Sequence, residues 1–169
     1  MPVLSLEALN NDNPEKVFRI ESFVLNHQSW INVRKDLSTL FQKGKKFKFD
    51  QNIQSVLPST RGIYIFYVEP EFPFLPETRY LMYIGRVIGS NTFKKRFYDY
   101  VSAIGSHTVR RNIQLLTNLW PDRTWVYVYE LNLADDEIKA IEDNLIDNIV
   151  PPMNNKFKST EAKNSRSIY

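Results

Sequence analysis

Apolar residues fall at helical intervals in the first third of the chain, and near Arg61 the texture changes to that of strands. Pro14 can start a helix carrying Val17, Phe18, Phe23, Val24 and Leu25. A second run, about Trp30 to Phe41, spaces Trp30, Val33, Leu37, Leu40 and Phe41 as one helix face. Lys43 to Phe49 follows as a basic run interleaved with aromatics. Gly62–Val68 is dense in β-branched and aromatic residues and predicts a strand. Pro70, Pro73 and Pro76 make the next stretch a loop, because proline pairs poorly in a sheet. Arg79–Ile84 predicts a second strand, stopped at Gly85, so the two form an antiparallel hairpin with a long tip.

Beyond the hairpin, Ser90 or Asn91 can cap a helix over Thr92–Ile104 that ends at Gly105. His107–Leu119 reads as another helix, closed by Pro121. Thr124–Leu131 is a third strand, with Trp125, Tyr127 and Tyr129 on one face and Val126 and Val128 on the other. The last helix spans about Asp135–Asn148 and stops before Pro151-Pro152. The polar tail after Lys158 is expected to be disordered. The predicted class is α/β (α+β): a small three-stranded antiparallel sheet flanked by helices. Residues 1–58 form an N-terminal helical arm, 59–158 the main domain and 159–169 the tail.

Two charges break this pattern. Ile138, Ile141, Leu145 and Ile149 make an apolar stripe on the last helix, and Glu142 falls inside it. A buried, unpaired carboxylate costs several kcal/mol or neutralises itself. A metal ion, an arginine or protonation can compensate it, unless the side chain bends off the stripe edge into water. On the Thr92–Ile104 helix, Arg96 lies at the margin of a face made by Phe93, Phe97, Tyr100, Val101 and Ile104. Its planar fork suits a phosphate oxygen; its aliphatic stem equally suits snorkelling over apolar surface.

Composition narrows the chemistry. The 169 residues contain no cysteine and two histidines, His27 and His107, which disfavours structural zinc and leaves a hard ion on oxygen ligands as the metal option. No stretch approaches the ~20 apolar residues of a membrane span or reads as a signal peptide, so a cytoplasmic protein without a membrane partner is expected. The net charge of +3 permits a polyanionic partner. Asp135, Glu137 and Lys139 imitate an Asp…Glu-x-Lys nuclease pattern. That pattern needs a strand to align Glu and Lys, and the segment reads as helix.

Gly62-Ile63-Tyr64 on the first strand and Tyr83-Ile84-Gly85 ending the second, in that order, resemble the GIY-YIG endonuclease family. Arg96 in Phe-Lys-Lys-Arg-Phe, Glu142 on a later helix and Asn154 after Pro151-Pro152-Met153 follow in family order. The resemblance covers about Arg61–Phe157, with a longer hairpin loop, Glu69–Thr78, than is usual. It implies a metal-dependent endonuclease that hydrolyses phosphodiesters, in DNA rather than RNA, with Mg2+ or Mn2+. It makes Glu142 the metal ligand, Arg96 the phosphate-binding arginine, Tyr64 and Tyr83 the active-site phenols and Asn154 a supporting residue. Tyr100 stands where members carry a histidine or tyrosine. A tyrosine would be the base, Tyr64 first with Tyr83 orienting, or the reverse. Lys43, Lys45, Lys46, Lys48, Arg86, Lys94 and Lys95 are candidate nucleic-acid contacts. A homodimer would let both strands be cut. The alternative is an inactive nucleic-acid-binding module of the same fold.

Overall fold

A computed structural model of the chain describes residues 26–41, 43–71, 77–102, 112–113, 116, 120 and 122–167. The helix expected from Pro14, and most of the one expected over 107–119, lie outside the described residues. The class is the expected mixture of helix and antiparallel sheet, but the sheet has four strands and not three. They are β1 (Lys45–Lys48), β2 (Gly62–Val68), β3 (Tyr80–Val87) and β4 (Thr124–Glu130), in spatial order β1-β4-β2-β3, with every pair antiparallel. The extra strand is the basic run. Its lysines stand on an edge strand, where charge is tolerated and discourages further pairing, so their polarity conceals the strand in the sequence.

Five described helices flank the sheet: α1 (His27–Leu37), α2 (Ile53–Val56), α3 (Phe93–Ser102), α4 (Asp135–Ile149) and α5 (Thr160–Ser167). Successive strand residues point to opposite faces, and both faces are covered. On one face Tyr64, Phe66, Val68, Met82, Val126 and Val128 pack with Phe93, Phe97 and Tyr100 of α3 and with Phe49, Ile53 and Leu57. On the other, Ile63 and Ile84 pack with Ile138, Leu145 and Ile146 of α4 and with Leu37 of α1. The faces of β4 follow the expected alternation: Val126 and Val128 are fully buried and Trp125, Tyr127 and Tyr129 are partly so.

Four boundaries differ from expectation. α1 runs His27–Leu37 and not Trp30–Phe41, with turn over 38–41. Thr92, not Ser90 or Asn91, caps α3: its hydroxyl accepts from the Lys95 N–H at 3.2 Å. β3 runs on through Gly85 to Val87. The tail folds into α5, because both oxygens of Asp147 tie down its approach, accepting from the N–H groups of Lys158 at 2.8 Å and Ser159 at 2.7 Å, and Ala162 is buried. Asp135, Glu137 and Lys139 do lie on a helix, so the rival nuclease geometry is not met. Among the described residues no helix is long and apolar enough to cross a membrane.

Gly62 opens β2 with φ +145°, and a Cβ there would overlap the backbone of Tyr129 on β4. Neither a left-handed backbone nor a main-chain clash can be relieved by a rotamer change. Gly62→Ala should therefore destabilise the protein by at least about 2 kcal/mol, read as a lowered urea midpoint; an unchanged midpoint would refute this packing.

Candidate active site

The candidate residues fall on both faces of β3, the edge strand: Tyr64, Tyr83 and Tyr100 belong to the α3 side, Glu142 with Arg86 to the α4 side, and each of three consecutive residues of β3 carries one connection. Ile84 presents its N–H and C=O away from β2. The Asn154 side chain takes both, Oδ1 accepting from the Ile84 N–H and Nδ2 donating to the Ile84 carbonyl, each at 2.9 Å. Asn154 is only 5% exposed and is carried there by the chain leaving α4. That helix ends on Val150 in the left-handed region (φ 51°), and Pro151-Pro152-Met153 return along the β3 edge, where the Met153 N–H donates to the Met82 carbonyl at 3.0 Å. Asn112 donates to the Met153 carbonyl at 2.6 Å.

Gly85 is opposite Tyr64 in the β2–β3 register. A Cβ at Gly85 would overlap the Tyr64 phenol, so the side chain of Tyr64 passes over β3 only because this residue is glycine. The glycine is inside the strand for that close approach and does not end it. The Tyr64 ring is 0% exposed and is held edge-on by Phe97, with centroids 5.3 Å apart. Its hydroxyl shares a 2.5 Å hydrogen bond with the hydroxyl of Tyr100 on α3. Tyr83 lies beside it at 6.3 Å between centroids and is less buried. One turn before Tyr100, Arg96 is partly buried, and its Nε is shut from solvent without a hydrogen-bond partner among the described residues. A half-desolvated cation with an unused donor is arranged to receive an anion.

Arg86 follows Gly85 and points to the opposite face. There it meets Glu142 of α4 in a close ion pair through Nη1, and the same Nη1 is 3.9 Å from Asp143 Oδ1. Glu142 is 8% exposed among Ile138, Leu145 and Ile146. Of the compensations open to that carboxylate, the structure supplies an arginine. Sequence reasoning grouped Arg86 with nucleic-acid contacts and missed this pairing, as it missed Asp143. The signal was available: a carboxylate inside an apolar stripe demands a cation, and Arg86 shares the face of Ile84.

The remaining candidates are separated from this edge. β1 lies at the other end of the sheet, three strand spacings of about 4.8 Å from β3. Lys45 pairs with Glu130 at 2.7 Å, and hydrogen bonds from Lys45 and Thr60 hold that carboxyl below its ordinary range. Lys46 pairs with Glu69 at 2.7 Å and sits over the Trp125 ring at 4.1 Å. Lys43 and Lys48 are exposed, as are Lys94 and Lys95, which precede Arg96 on α3. Burial pushes the phenols of Tyr67, which also faces Glu69, and Tyr129 above the ordinary range, so neither competes as a base. A cavity of about 310 Å³ between α1, α4 and α5 shares Asp143 with the ion pair but includes none of the tyrosines.

Glu142 is an oxygen donor, the type a hard cation takes. Magnesium commonly takes one or two carboxylates and fills its shell with water and substrate oxygens. Glu142 would be the single carboxylate of such an open arrangement, and Arg86 pairs it in this structure; among the described residues no three acidic or histidine side chains gather into an all-protein cage. No family model, curated protein or solved structure matches the chain.

Asn154→Ala removes the partner of two buried backbone groups of β3. It should cost about 2–3 kcal/mol, measured by urea unfolding. A loss below about 0.5 kcal/mol would show that water replaces the amide without penalty.

Proposed function

We propose that the chain is a divalent-metal-dependent endonuclease of the GIY-YIG type that hydrolyses phosphodiester bonds, with DNA favoured over RNA. The observation that carries this reading is the stretch Tyr83-Ile84-Gly85-Arg86. One edge strand bears a phenol, an Asn-pinned backbone, a crossing point for Tyr64 and the partner of Glu142. Packing alone does not require a glycine under a tyrosine, a carboxylate in an apolar stripe and, on α3, an arginine with an unused buried donor.

Phosphoryl transfer depends mainly on placing positive groups where charge develops. Arg96 would grip a non-bridging phosphate oxygen with its fork, a charge-assisted contact that restores a partner to its buried Nε. Lys94 and Lys95, exposed on the same helix just before Arg96, would hold the backbone of the nucleic acid without reading sequence. A divalent ion on Glu142 would supply Lewis-acid stabilisation of the leaving oxygen. Burial revises the ranking of the two phenols. Tyr64 is sealed and engaged with Tyr100, whereas Tyr83 retains exposed surface where the attacking water can reach it. Tyr83 is therefore the favoured base, and the Tyr64–Tyr100 pair braces α3 so that Arg96 stays in position.

One observation favours the second reading, a nucleic-acid-binding module without turnover: Glu142 is already neutralised by Arg86. Cleavage of plasmid DNA and of RNA with Mg2+ or Mn2+ separates the two. The nuclease reading expects cutting by the parent and a fall of about 100-fold or more for Glu142→Gln and for Arg96→Ala. Tyr83→Phe should lose more than Tyr64→Phe. Variants that cut as fast as the parent would sink the site; salt-sensitive binding without cleavage would select the binding module.

A further inference from the structure

Arg86 occupies the one carboxylate that the proposed nuclease site offers to a metal, and a second acceptor is already within reach. Glu142 projects from an apolar stripe and cannot stand there uncompensated. Arg86 is the cation that compensates it, and the same Nη1 lies 3.9 Å from Asp143, the next residue of α4. Asp143 is more exposed than Glu142, with 28% of its side chain accessible against 10%, and its other oxygen is 4.0 Å from Lys158. A guanidinium carries five donors in a fixed fork, so it can exchange one carboxylate for its neighbour by a small rotation without becoming unpaired.

We propose that Arg86 is a charge latch on Glu142. It holds and neutralises the carboxylate until a divalent cation binds, then turns to Asp143, which keeps it paired and out of the metal position. Arg86 is thus a positioning residue, acting through Glu142. The arrangement keeps a buried carboxylate satisfied when metal is absent and sets the concentration at which the site loads. This inference rests on Glu142 being the metal ligand.

Calorimetric titration of the full chain with Mn2+ tests it without reference to cleavage. Arg86→Met removes the competitor and should tighten Mn2+ binding by about tenfold or more, since each tenfold corresponds to about 1.4 kcal/mol of removed competition. Asp143→Asn removes the landing place and should weaken binding several-fold in the parent background but not in the Arg86→Met background. In the unmutated chain, Mg2+ should move the NMR signal of the Arg86 side-chain N–H; this reading does not depend on Arg86→Met folding without metal. An unmoved signal at saturating Mg2+, or unaltered affinity in Arg86→Met, overturns the latch while Glu142→Gln still abolishes binding and so preserves the site. Absence of Mn2+ binding in the parent, or binding unaffected by Glu142→Gln, overturns the latch and the metal reading together.

Discussion

A β-strand at the edge of a sheet leaves a row of N–H and C=O groups that something must satisfy, and most of the site follows from how β3 meets that requirement. Its outer groups are taken by the segment leaving α4, through the Met153 N–H and both ends of the Asn154 amide. For that segment to lie along β3, α4 has to end beside it, which the left-handed turn at Val150 and the two prolines accomplish. Glu142, two turns before the helix end, is thereby laid against the face of β3 that carries Arg86. Pinning the edge and delivering the carboxylate are one structural event.

The two motif glycines serve different needs. Gly62 is demanded by the backbone, since its dihedral angle and the nearness of Tyr129 both forbid a side chain. Gly85 is demanded by a neighbour, since Tyr64 crosses β3 at that point. The arginines are divided likewise. Arg86 is engaged in a carboxylate pair, while Arg96 retains an unused donor in a partly buried setting. Only the second keeps a buried donor unused as the structure stands, and it lies on α3, whereas the paired arginine meets α4.

Helix α4, α3, strands β2 and β4 and the two-faced pattern of β4 were legible in the chain, as was the anomaly of Glu142. These features depend on residues close in sequence, whose spacing sets which face they share. The basic run was not legible as a strand, because three of the four residues in β1 are lysines and pairing with β4 supplies what their propensity lacks. The order of α5 was hidden for a related reason: Asp147, on the preceding helix, fixes the start of a segment that is otherwise polar.

What the sequence determined by itself was a set of needs: a glycine in a strand, a carboxylate in an apolar stripe, an arginine at a helix margin, an asparagine after two prolines. Tertiary structure alone decided the partners. Tyr64 met Tyr100 and lay across Gly85, Glu142 met Arg86, and Asn154 met the backbone of Ile84. Local patterning can show that a buried polar group must be compensated, because desolvation depends on which face the group occupies. Which group compensates it depends on elements distant along the chain being packed around the same strand.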